Sequence, residues 1–490
     1  MARIPPQPLP RMLAASEIVP TMERIIANRK AIHEAVAITV TPETASFENV
    51  VRPWLEAEDC DAGRWQVIDM YGYAVADQAT RDAAEEATRL MSERGFDYVS
   101  PDELSGVTPS ELEDFEVGTE PHNLGKVFID FKTWKRLYIN NENKLAENIS
   151  LFRDIVILRD QNARLLGYKS HAEKRLQDRV APSVQWAEEM LGRLRGELLP
   201  KGKEELDLLR AKKRDNTGGE AEQQQIDQER ISEYFPLRTT VAAMLRLFAS
   251  FFLLQFEPIT PADLEGSTWH EDVEAWSVWN NRENHKGAFV GYLYSDILYR
   301  EGKYKGNQNV NLQPSYLKPD GSRVLPATIL MCNFSPSTAT HHEVKTLFHG
   351  DIRATSIFDI TVHNPISHED ILKLDAAQLY NDITEDVTML RNPDKSTRGP
   401  ATCHFGHLMS GYDAGYFSYI SAQAFAAELF ETTFAADPRR QDAWQRYRTG
   451  TLEAGGSRDE LAMLTGFLGH PPSPDALVRS PQGLSCVAKL

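Results

Sequence analysis

Residues 143–167 place apolar Leu145, Ile149, Phe152, Ile155, Val156 and Leu158 near helical spacing with polar and charged residues between them, which predicts an amphipathic helix. Over residues 184–209 the pattern resumes with Trp186, Met190, Leu191, Leu194, Leu198 and Leu199. Pro200 then removes a backbone donor and crowds the preceding turn, so a helical hairpin is expected there. Residues 211–229 are polar and contain Gly218-Gly219 and Gln223-Gln224-Gln225, the composition of an exposed connection. The most apolar stretch, residues 247–256 behind 241–245, is broken by Arg246 and is too short to span a bilayer; it reads as a buried helix. Residues 289–294 and 324–334 carry aromatic and β-branched side chains in short runs, which predicts a few strands. No internal repeat is evident.

Composition narrows the partners more than the fold. The 490 residues suffice for a large core, as two or three domains or as one two-lobed body. With 71 acidic against 53 basic side chains the net charge is -18, which leaves no basic footprint for nucleic acid or an anionic membrane. Cys60, Cys332, Cys403 and Cys486 lack paired spacing, so free thiols in a reducing compartment are expected. Pro5, Pro6, Pro8 and Pro10 interrupt the amino terminus where a secretory signal would need a continuous apolar run. A cytoplasmic location follows. Ala488-Lys489-Leu490 differs by one small residue from a Ser-Lys-Leu peroxisomal address, which makes the peroxisome the alternative.

Several motifs occur in a telling order. Leu158-Arg159-Asp160, Leu165-Leu166-Gly167-Tyr168 and Tyr234-Phe235-Pro236-Leu237 come first. Gly291-Tyr292-Leu293-Tyr294-Ser295-Asp296 follows, with Arg300-Glu301-Gly302-Lys303, Leu312-Gln313-Pro314 and Cys332-Asn333-Phe334 behind it. His342-Glu343-Val344 then leads through Thr346-Leu347-Phe348 to His349, and residues 405–419 run from Phe405-Gly406-His407 to Tyr419. Together these stretches resemble the thimet oligopeptidase and saccharolysin family of zinc metallopeptidases, over roughly residues 40–484. The resemblance implies a mainly α fold of two helical lobes around a deep cleft, with a small β-sheet near the site. It also implies a protease that hydrolyses short peptides. A helical region over 1–140, shortened before Ser100-Pro101-Asp102, would precede a peptidase-like region over 141–490 interrupted at 349/350.

The interruption bears on the chemistry. Such a peptidase needs His-Glu-x-x-His, because two His one helical turn apart bind one zinc ion and the intervening Glu deprotonates the metal-bound water. His349 matches the first zinc ligand, but Gly350-Asp351-Ile352-Arg353 follows it, and the sequence resumes family likeness at about Arg353-Ala354-Thr355-Ser356. His342 lies about 10 Å from His349 along a helix axis, too far to share one ion. A rebuilt site would have to recruit His363, His368, His404 or His407, residue types that are more often surface or hydrogen-bonded structural groups. The plain alternative for His349 is a histidine at a helix end capped by Gly350.

The downstream loop keeps its expected chemistry. By the resemblance, Tyr419 and His407 are the candidate catalytic groups, donating hydrogen bonds toward a developing oxyanion, and Tyr412 and Tyr416 the candidate substrate-binding groups. Read from spacing alone, Tyr412, Tyr416 and Tyr419 at i, i+4 and i+7 would simply pack one helix face. Gly411 and Gly415 would give the loop backbone freedom. Two function classes follow: a zinc oligopeptidase inactive in this chain, or a non-catalytic peptide-binding relative.

Overall fold

The computed structural model describes residues 3–41, 43–94, 148–177, 179–216, 236–303, 308–334, 353–389, 406–409 and 411–479, with 391, 399 and 402. Along the chain the helices are α1 Ala15–Thr39, α2 Arg52–Ala74, α3 Gln78–Arg94, α4 Asn148–Leu165, α5 His171–Leu176, α6 Val184–Asn216 and α7 Leu237–Phe252. Strands β1 Leu254–Pro258, β2 Glu274–Asn280, β3 Phe289–Leu298, β4 Gln308–Gln313, β5 Tyr316–Leu317, β6 Arg323–Val324 and β7 Ala327–Phe334 follow. The chain then returns to helices: α8 Arg353–His363, α9 His368–Leu372, α10 Ala376–Thr388, α11 Gly406–Met409, α12 Ser418–Leu429 and shorter ones to Arg479. The fold is therefore mainly α with a small mixed sheet, as the resemblance implies.

Contacts divide the chain into two compact units, one drawn from Met1–Glu113 and Gln225–Phe348, the other from Asp114–Gln224 and His349–Leu490. In the first, the five-stranded sheet has the order β1-β2-β3-β7-β4, with only β3 and β7 parallel. Helices α1 to α3 pack on it, burying Ile18, Met22 and Ile25 at helical spacing with Ile68, Met70, Tyr71, Tyr294, Ile329 and Met331. The motif run from Asp296 to Lys303 is a buried ionic knot in this core. Arg300 grips both Asp296 oxygens at 2.6 and 2.7 Å, Lys303 donates to Oδ1 at 2.8 Å and the Trp269 indole N–H donates to Oδ2 at 2.8 Å. The remaining reach of the Lys303 ammonium goes to the carbonyls of Asp296, Leu298 and Cys332. Burial alone would raise the Asp296 carboxyl, but the hydrogen bonds from Arg300 and Lys303 outweigh it and keep it ionised. Gly302 adopts a positive φ of 77°, and a Cβ there would meet the Arg81 guanidinium.

In the second unit α4, α8, α9, α10 and α11 surround a core containing Phe152, Val156, Phe358, Val362, Ile371 and Leu408, beside a second cluster in which α6 supplies Ala187, Met190, Leu191, Leu194 and Leu198 and α12 supplies Ile420 and Ala424.

Three expectations need correction. Residues 184–216 form one helix through Pro200, where a hairpin was expected, and the first six residues of the expected connection belong to it. Pro200 is exposed, and the residue four earlier, whose carbonyl the proline ring crowds, is Gly196, while the buried stripe from Ala187 to Leu198 anchors the helix on the core. Residues 247–256 are not a buried helix. α7 ends at Phe252, Leu253 turns with φ 48° and β1 begins at Leu254; Leu247 is 47% and Phe248 37% exposed. Helix α4, expected to be amphipathic, is apolar on two faces: Phe152, Val156 and Ala163 are buried, whereas Leu158 is 61% and Leu165 87% exposed. The predicted strands are present as β3 and as β6 with β7. Cys60 and Cys332 are free thiols, and no described helix is long and apolar enough to cross a membrane.

Candidate functional site

The four downstream side chains singled out in the sequence converge. Tyr412 stacks on Tyr419 with ring centroids 5.4 Å apart and planes 8° from parallel, and Tyr416 meets Tyr419 edge-on at 5.4 Å. His407 sits edge-on to Tyr412 at 5.6 Å and to Tyr416 at 5.9 Å. They do not share a helix face. Tyr412 and Tyr416 precede α12, which starts at Ser418, so the i, i+4, i+7 spacing is realised by a turn that brings the rings together. His407 and Tyr412 are exposed, and Tyr416 and Tyr419 half-buried, which leaves the cluster at the surface of its unit. Burial, then a hydrogen bond with Tyr412 and the charges of Tyr412 and Tyr416, push the Tyr419 phenol above its usual value, so it stays a proton donor at neutral pH.

The turn is held from beneath by carboxylates. Asp359 on α8, wholly buried, accepts the backbone N–H of Ala414 at 2.8 Å and of Tyr416 at 2.9 Å. It also takes a proton contact from His363 Nδ1 at 2.9 Å. Arg159 Nη1 lies 3.2 Å from His363 Nε2, and a guanidinium can only donate, so Nε2 accepts and the proton sits on Nδ1. Asp413, inside the turn, pairs with His171 Nε2 at 2.6 Å, Arg175 Nε at 3.0 Å and Arg159 Nη2 at 3.6 Å. Arg159 further donates to the Leu408 carbonyl, and Arg175 and Arg179 both donate to that of Gly411 at 3.0 Å. Gly411 has φ +95°, and a Cβ at Gly415 would collide with the Arg179 guanidinium, so one glycine is needed for its backbone conformation and the other for space.

Burial alone would raise the Asp413 carboxyl, but the hydrogen bond from His171 and the charges of Arg159 and Arg175 hold it far below its ordinary 3.8. Burial also lowers the His171 imidazole below 6.5, more than Asp413 raises it, so the ring is neutral at pH 7 and donates through Nε2. Both folded values are depressed. Each group therefore contributes stability that is full above its unfolded value and lost as pH falls toward its folded one. The expected result is a urea-unfolding free energy that is level above pH 7, declines below about pH 6.5, where the unfolded chain protonates His171 more readily than the folded one, and declines further below about pH 4 for the same reason at Asp413. An unfolding free energy unchanged down to pH 3 would contradict it.

Sequence reasoning named His363 only as a stray ligand candidate and passed over Asp359, Asp413, His171, Arg175 and Arg179. One signal was there: Ile357-Phe358-Asp359-Ile360-Thr361-Val362-His363 puts an acid and a histidine one helical turn apart within an apolar run, the mark of a buried pair.

The metal question falls partly outside the described residues, which include neither His349 nor His342 nor His404. His363 is turned to Asp359, and His368 donates from Nδ1 to Asp160 at 2.8 Å, with Gln161 against its Nε2. His407 lies among the tyrosine rings. Among the described residues no group of three His, Cys, Asp or Glu side chains could hold a metal ion. The described residues therefore do not fit a zinc centre.

The model of Peptidase family M3 matches residues 131–350 and 354–482. The chain belongs to this family. Its M3 match breaks after residue 350, beside the position where the zinc-helix motif stops in the sequence. Saccharolysin of Saccharomyces cerevisiae is 28% identical over 71% of the chain and 63% of its own length. Thimet-like oligopeptidase of Dictyostelium discoideum is 24% identical over 78% of the chain and 73% of its own. Oligopeptidase A of Escherichia coli is 23% identical over 68% and 62%. The chain thus spans less than two thirds of saccharolysin. As an M3 chain it carries the turn of His407 and the three tyrosines in the second matched segment.

Proposed function

We propose that this M3 chain is an oligopeptidase by descent that binds short peptides at the tyrosine turn and hydrolyses them little or not at all. The observation that carries the reading is a contrast. His407, Tyr412, Tyr416 and Tyr419 are gathered on a turn braced by Asp359 and Asp413, whereas no His-Glu-x-x-His occurs in the sequence. Phenol and imidazole groups on such a turn can grip a peptide by hydrogen bonding and ring contact without a metal. Under this reading Tyr419 and His407 keep the donor positions of the family, Tyr412 and Tyr416 hold substrate, and His349 is a lone former zinc ligand. The chain divides into a shortened helical region over 1–140 and a peptidase-like region over 141–490, interrupted at 349/350. Its place is the cytoplasm.

The test is to measure zinc in the purified protein by mass spectrometry, together with cleavage and binding of a quenched fluorescent pentapeptide. The expected result is zinc well below one per chain, no chelator-sensitive turnover, and binding that Tyr412→Ala weakens. Stoichiometric zinc with turnover abolished by a chelator would overturn the inactive reading. Binding indifferent to Tyr412→Ala would overturn the role of the turn.

A further inference from the structure

We propose that Arg179 and the tyrosine turn together form a seat for a carboxylate of the bound peptide. This rests on the peptide-binding reading of the turn and adds which chemical group of the peptide is recognised.

The charges beneath the turn do not balance. Among the described residues, the carboxyl groups of Asp359 and Asp413 lie there as acceptors, and Arg159, Arg175 and Arg179 face them, with His171 and His363 each donating one N–H. Three guanidiniums stand against two carboxylates. Arg159 and Arg175 are the two that pair with Asp413, whereas Arg179 has no carboxylate in ion-pair range among the described residues. One of its N–H groups is committed to the Gly411 carbonyl; a guanidinium has five donors, and among the described residues no other acceptor takes one.

Its position follows from the same contacts. Arg179 fills the space a Cβ would take at Gly415, one residue from Tyr416, and it holds the carbonyl of Gly411, one residue from Tyr412. The third cation therefore lies against the backbone of the turn, one residue from Tyr412 and from Tyr416. Half-buried, it is screened less by water than a surface arginine, which strengthens its attraction for an anion. Burial with Arg175 nearby makes its charge costly to hold. A ligand carboxylate would relieve that cost through a paired, planar fork of hydrogen bonds, with the phenols of Tyr412, Tyr416 and Tyr419 as further donors. The carboxylate can come from a peptide's carboxyl terminus or from an acidic side chain.

Fluorescence anisotropy on the full chain separates these sources. The probe is amino-terminally labelled Ala-Ala-Phe-Ala-Ala, made as the free acid, as the terminal amide, and as amides with a central Glu or Gln in place of Phe. The free acid is expected to bind about tenfold tighter than its amide if the terminus is read, and the Glu amide about tenfold tighter than the Gln amide if a side chain is read. Within the Arg179→Gln variant the difference between acid and amide, or between Glu and Gln peptides, should vanish, while Arg179→Lys should restore part of it. If Arg179 only braces the turn, its replacement weakens acid and amide equally. Equal binding of acid and amide, and of Glu and Gln peptides, by the unaltered protein overturns the seat while leaving peptide binding intact. Absence of binding by every probe overturns both readings.

Discussion

Replacing Asp359 with Ala is expected to destabilise the second unit by about 3–5 kcal/mol and to scatter the tyrosine cluster. The carboxylate is fully buried and accepts three hydrogen bonds, from Ala414 N, Tyr416 N and His363 Nδ1. Removing it leaves the Ala414 and Tyr416 N–H groups without their acceptor and the His363 N–H with only the backbone carbonyl of residue 359, at 3.0 Å, and each buried orphan costs about 1–3 kcal/mol. It also leaves the guanidinium of Arg159 facing one anion fewer. Asp359→Asn keeps the shape, but its amide turns an N–H toward one of the three donors, so about half the loss should remain. Urea unfolding gives the energy, and near-ultraviolet dichroism follows the rings. An Ala variant within about 1 kcal/mol of the parent would show that the turn is held by its own packing instead.

The second large effect belongs to the first unit. Asp296→Leu should cost about 3–5 kcal/mol, because it strands the fully buried ammonium of Lys303 and the guanidinium of Arg300 in a core of Tyr294, Ile329 and Met331. Lys303→Met should be costly for the converse reason, with Asp296 then held by Arg300 and Trp269 alone. The double variant Asp296→Leu with Lys303→Met should lose clearly less than the sum of the two, since the charges are removed together. Thermal unfolding of the four proteins completes the cycle. Strict additivity would mean that the two groups do not act as a pair.

These effects bear on what the motifs do. Asp296, Arg300, Gly302 and Lys303 carry much of the family likeness, yet they satisfy one another inside the core. Asp359 and Asp413 likewise build a turn whose outer face is aromatic. Each is a buried charge made tolerable by named partners, and neither contains a residue of the missing zinc motif. The bracing of the turn is therefore independent of the zinc motif, which is why peptide binding is the function proposed for a chain without it.

Local periodicity was enough to place α4, the start of α6 and the strands β3 and β7, because helix and strand spacing repeat within a few residues. It misjudged Pro200, since the stripe from Ala187 to Leu198 and the freedom at Gly196 outweigh one lost hydrogen bond. It misjudged residues 247–256, where an apolar run is divided between an exposed helix and a strand whose pairing with β2 lies outside the run itself.

Residue identity alone determined the family likeness, the tyrosine and histidine set at 407–419 and the lack of His-Glu-x-x-His, since each is a matter of which side chains occur in what order. Only the tertiary structure decided that these rings meet on a turn, that Arg159, His171, Asp359 and Asp413 lie beneath it, and that Arg179 has no carboxylate in ion-pair range among the described residues. The physical reason is distance along the chain. His171 and Asp413 are 242 residues apart, and Asp359 and Ala414 are 55 apart, so no local repeat records that they must share their protons.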